Sequence, residues 1–134
     1  MQDTYVREVD VVRVIDGDTF LCDVQLGFYI TARMSCRLAG INTPERGEHG
    51  WAEATAALAE LLGRGKVTVA SVRADKYAGR FDAQVVVTAP ARHDPELGPL
   101  VDAWQVNGAL VDQGVAVEWD GTGPRPVVPW PPTM

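Results

Sequence analysis

The chain has 134 residues, with 12 Lys and Arg against 18 Asp and Glu and a formal charge of −6 at pH 7. That length buries one sizeable core and not two, so a single domain without tandem modules is expected. A pI near 4.8 argues against a broad basic surface, so any nucleic acid must be held by a local cluster of cations.

In chain order, Val9 to Ile15 is β-branched and apolar apart from Asp10 and Arg13, and Asp16-Gly17-Asp18 follows as a tight turn. A second strand runs from Thr19 to about Leu26, with Phe20, Cys22, Val24 and Leu26 on one face and Asp23 and Gln25 on the other. Gly27 reverses it into a third, Ile30–Leu38, where Ile30, Ala32, Met34, Cys36 and Leu38 alternate with Thr31, Arg33, Ser35 and Arg37. Arg37 is thereby turned away from the core and expected to be exposed. Pro44 lacks an N–H and biases Thr43 toward extended backbone, so Glu45 opens a loop just beyond the strand. A planar, permanently charged guanidinium suits a phosphate, and a carboxylate can take a proton from water; Arg37 and Glu45 together suggest a phosphodiester site.

Arg46 to Gly50 is a polar, glycine-rich loop. Ala54, Ala57, Leu58, Leu61 and Leu62 then form the stripe of an amphipathic helix that Gly63 ends, with Trp51 expected to pack in its first turn. Lys66–Val72 and Phe81–Thr88 are the fourth and fifth strands, joined by the charged turn Arg73 to Arg80. A loop with three prolines leads to a second helix, expected from Leu100 or Val101 to Gln113, with Trp104, Leu110 and Val111 buried. The predicted fold is α+β, mainly β: a five-stranded OB-type barrel with two helices over residues 1–120, and a proline-rich, extended or disordered tail over 121–134.

Cys22 and Cys36 lack metal or redox spacing and are expected to be buried free thiols, while His49 and His93 belong to no zinc motif. With no basic leader and no 18-residue apolar run, the expectation is a cytoplasmic monomer without membrane contact.

Four segments resemble the thermonuclease, or staphylococcal nuclease-like, family. They are Ile15-Asp16-Gly17-Asp18-Thr19, Cys36 to Glu45, Asp75-Lys76-Tyr77-Ala78-Gly79-Arg80, and Val106 to Gly114. The resemblance implies a calcium-dependent phosphodiesterase acting on DNA and/or RNA. It places Arg37 and Arg80 on the scissile phosphate and Glu45 as general base. Asp18, Asn42 and the Thr43 carbonyl fall on calcium-ligand positions, with Asp16 a neighbouring acid outside the ligands, and Tyr77 on a nucleotide contact; Lys76 is a candidate substrate contact by its charge in the same turn and not by the resemblance. Asn42 replaces the family's usual Asp, so weaker calcium binding is expected; Ala78 lengthens the turn before Arg80, and the tail stands where the family has a final helix. The alternative is a catalytically weak or inactive module binding nucleic acid or a protein partner, and the tail could dock such a partner.

Overall fold

The computed structural model describes residues 5–74 and 79–132. Five strands close a barrel: β1 (Val6–Asp16), β2 (Thr19–Gly27), β3 (Ile30–Leu38), β5 (Lys66–Ala74) and β6 (Arg80–Thr88). Their order is β3-β2-β1-β5-β6, antiparallel throughout, and the ring is shut by a parallel β3–β6 pairing with Ser35 opposite Arg80 and Leu38 opposite Ala83. β1 is long enough to serve two neighbours, pairing with β5 over Val6–Val9 and with β2 from Val9 to Asp16. Irregularities at Val11/Arg13 and Val14/Asp16 bend it between the two ladders, as bulges do.

Alternation places Phe20, Cys22, Val24, Cys36, Leu38, Val67, Val69, Val85 and Val87 inside the barrel. The same period fails at the β2–β3 tip, where Leu26, Phe28, Tyr29 and Ile30 are exposed because the hairpin runs past the barrel wall. Cys22 and Cys36 are buried free thiols. Helix α1 (Trp51–Leu62) closes one end with Ala54, Leu58, Leu61 and Leu62 buried.

The second helix is shorter than its periodicity suggests. α2 spans Val106–Asp112, because Ala103–Gln105 is claimed as strand β9 by a ladder with β6 that sets Trp104 opposite Val87. Trp104 is therefore a half-buried strand residue lying 4.8 Å from the Arg64 guanidinium. The proline-containing loop ahead of it folds into a small hairpin, β7 (Arg92–Asp94) with β8 (Gly98–Leu100). After α2, β10 (Val117–Glu118) pairs with β4 (Ile41–Asn42), bringing the chain back beside the end of β3.

Asn107 ties these pieces together from a buried position. Its Oδ1 accepts from Val85 N at 3.0 Å, and its Nδ2 donates to Ala39 O at 2.8 Å and Ala83 O at 3.1 Å. The tail is extended and docked: Trp130 is half-buried against the core, and a Cβ on Gly50 would meet its ring at 2.9 Å. Gly114 has the same relation to Pro132, at 2.7 Å.

Candidate active site

The turn from β1 to β2 supplies Asp16 and Asp18. Gly17 lies so close to α1 that a Cβ there would stand 2.6 Å from Ala54 Cβ and 3.0 Å from Thr43 Oγ1, so the bare backbone lets the acidic turn, the helix and the end of β4 meet. Asp18 is buried: its Oδ1 accepts from the Thr19 hydroxyl at 3.0 Å and its Oδ2 from Thr43 N at 3.4 Å. Asp16 takes a different partner, accepting from Trp51 Nε1 at 2.7 Å. Trp51 thus does more than pack, and the Arg46 guanidinium lies over its ring at 5.1 Å.

Arg37 leaves the core as the alternation requires, yet its side chain is only 13% exposed, against the expectation of an exposed arginine. The reason is local. Nη1 donates to Leu38 O at 3.2 Å, Nη2 donates to Ile41 O at 3.1 Å and lies 3.7 Å from Asp18 Oδ2, and the Trp119 ring sits 5.6 Å away. Two carbonyls, a carboxylate and an indole leave this fork little rotational freedom. Arg80 starts β6, one strand over, and lines the same cavity.

That cavity, of about 310 Å³, is walled by Asp16, Asp18, Arg37, Glu45, Arg80 and Trp119, among others. A neighbouring one of about 370 Å³ shares Arg37, Arg80 and Trp119 and adds Arg73 and Asp82. Arg73 Nε donates to the buried Asp82 carboxylate at 2.9 Å. Glu45 stands at the rim with its side chain 64% exposed, and its amide donates to Glu48 Oε1 at 2.5 Å. Lys76 and Tyr77 lie outside the described residues.

The oxygen set Asp18, Asn42 and Thr43 O converges on a single group, the guanidinium of Arg125 from the tail. Nε donates to Asn42 Oδ1, Nη2 donates to Thr43 O at 2.9 Å and lies 4.0 Å from Asp18 Oδ2, and Nη1 pairs with Glu45 Oε1. Asn42 returns a bond from Nδ2 to Pro126 O at 2.9 Å. Partial burial, with Arg37 adding to it, holds Arg125 below its ordinary range, while Asp18 opposes the shift. One carboxylate, one amide and one carbonyl therefore already face a common positive charge. A hard-oxygen set of this kind fits a divalent cation such as calcium. Among the described residues no three His, Cys, Asp or Glu side chains cluster as a metal site.

The family described as staphylococcal nuclease homologue matches residues 35–125. The chain belongs to the staphylococcal nuclease family. One curated relative, the Micrococcal nuclease of Shigella flexneri, is 32% identical over 107 residues, covering 80% of this chain and 55% of that protein. The chain thus spans about half the length of that relative. The staphylococcal nuclease match begins on β3, two residues before Arg37, and ends on Arg125 itself.

Sequence reasoning missed Arg125 and Trp119. A signal for the first was present, because Arg125 is the sole charged residue from Gly121 to Met134 and stands between two prolines. Trp119 follows a two-residue strand too short to show a period. No helix among the described residues is long and apolar enough to cross a membrane.

Proposed function

We propose that this chain is a divalent-cation-dependent phosphodiesterase that hydrolyses DNA and/or RNA, with Arg37, Glu45 and Arg80 as its catalytic residues. The observation that carries this reading is the single cavity on which both arginines, Glu45 and Asp18 open. A scissile phosphate in that cavity is held by Arg37, whose fork is fixed in advance by its two carbonyl partners, and by Arg80 from the adjoining strand. Negative charge that builds on the equatorial oxygens as water attacks is stabilised by these guanidiniums without reorganisation. Glu45, at the rim, accepts the proton of the attacking water, a contribution of about 10²–10⁴-fold for a positioned general base. Asp18, Asn42 and the Thr43 carbonyl hold the cation, and calcium suits this set because every donor is oxygen. When bound, it adds positive charge beside the phosphate. Asp16, occupied by Trp51, orients the turn. Tyr77 is assigned to nucleotide contact on the family resemblance, and Lys76 to substrate contact by its charge in the same turn.

The test is release of acid-soluble nucleotides from heat-denatured DNA across a calcium series reaching roughly millimolar, the weak end of protein calcium sites. Wild type should cut, Glu45→Gln should not, and Asn42→Asp should lower the calcium requirement. The second reading, a non-catalytic binding module, draws on the neutral Asn42 and on the Arg125 pairing that occupies Glu45. It stands if wild type and Asn42→Asp are both inert at every calcium concentration yet retain single-stranded DNA.

A further inference from the structure

We propose that Arg125 is a tethered cation seated in the divalent-metal position, so that metal and tail compete for the same oxygens and metal binding expels the tail. The proposal rests on the reading of Asp18, Asn42 and Thr43 as the metal's donors. Arg125 shares with that role both Asn42 Oδ1, through Nε, and Thr43 O, through Nη2, and the same Nη2 lies 4.0 Å from Asp18 Oδ2. A guanidinium carries only donors and no lone pair, so these oxygens cannot serve it and a metal ion together. Its remaining arm pairs with Glu45, which removes the general base in the same docked state.

The rest of the tail is arranged to hold that arm in place. Pro124 and Pro126 flank Arg125 and restrict its backbone, which lowers the ordering cost of docking. Asn42 holds Pro126 O, and farther on Trp130 lies on Gly50 beside Pro44 and His49. The docked tail therefore grips both ends of the segment that bears the proposed ligands and base. Loss of formal charge at Asn42 works in the same direction. A neutral amide weakens a divalent cation's hold more than that of a singly charged guanidinium bonding through a geometrically matched fork, which shifts the contest toward the tail.

The test is calorimetric titration of the full chain with calcium chloride, wild type against Arg125→Ala, with hydrogen exchange of residues 121–132 followed with and without calcium. Arg125→Ala should bind calcium about tenfold tighter or more, as when roughly one molecule in ten is competent before the substitution. Calcium should raise exchange in the wild-type tail and leave the already released Arg125→Ala tail unchanged. Equal or weaker calcium binding by Arg125→Ala overturns the proposal, as does a wild-type tail that calcium protects. Binding by neither chain also overturns it. Cleavage assayed in parallel reports separately on the nuclease reading: calcium-free cleavage that Arg125→Ala abolishes would make Arg125 the working cation rather than a competitor.

Discussion

Replacing Gly17 with Ala should destabilise the fold measurably, although it adds one methyl group on a turn. The new Cβ would lie 2.6 Å from Ala54 Cβ, 3.0 Å from Thr43 Oγ1 and 3.1 Å from the Ala54 carbonyl carbon. Two of those three belong to helix α1 and cannot swing aside, so either the helix or the acidic turn moves. Overpacking of this kind costs about 1–3 kcal/mol. A chain of 134 residues has an unfolding entropy near ~0.28 kcal/mol/K at the midpoint, so the melting temperature should fall by about 4–11 °C. Differential scanning calorimetry at pH 7 reads this directly. Ala54→Gly in the same chain removes the closest clash and should recover part of the loss, despite the ~1 kcal/mol helical penalty of glycine, giving a non-additive cycle. A Gly17→Ala midpoint within about 1 °C of wild type, or strict additivity with Ala54→Gly, would refute the claim that this close approach locks the acidic turn to the helix.

Arg37→Lys keeps the charge but loses the fork that reaches Leu38 O and Ile41 O; cleavage of single-stranded DNA should drop about 10²–10³-fold, the scale of losing one fixed donor to a transition state, with little change in melting. Asn107→Leu strands Val85 N and two carbonyls in the interior, and urea denaturation should show a loss of about 2–4 kcal/mol. Burial, helped by Asp23, pushes the Cys22 thiol from 9.0 up to about 12. The neutral thiol is favoured by folding, so this contribution is complete below pH 9 and is lost as pH rises from about 9 toward 12, at most about 4 kcal/mol. Cys22→Ala should therefore flatten the fall of urea stability across that window, and an unchanged slope counts against the assignment.

The barrel was legible because alternation is enforced wherever one face of a strand is sealed. Phe20, Cys22, Val24, Cys36 and Leu38 are buried as their spacing requires, and so is the α1 stripe of Ala54, Leu58, Leu61 and Leu62. Legibility ended where a non-local partner decided the outcome. Ala103–Gln105 carries no pattern that distinguishes it from a helix start, and only the exposed edge of β6 makes it a strand. Arg37 and Glu45 stood out through residue chemistry at a strand end and in the loop after it, whereas Asp18 by itself read as a turn residue and entered the site only through the family resemblance. Arg125 did not, because it meets Asn42 across 83 residues of sequence and no local period encodes such a contact.

The parallel β3–β6 pairing that shuts the barrel has a kinetic meaning. Arg37 and Arg80 lie on the two strands of that ladder, forty-odd residues apart in the chain. Every other barrel ladder is antiparallel, and two of them, β1–β2 and β2–β3, join strands separated by only two residues and can zip from their own turns. The β3–β6 seam has no such nucleus and bears the loop-closure entropy of everything between its strands. The two arginines are therefore assembled by the slowest kind of contact in the molecule, and a chain that has formed its hairpins but not its seam holds both guanidiniums without the cleft between them.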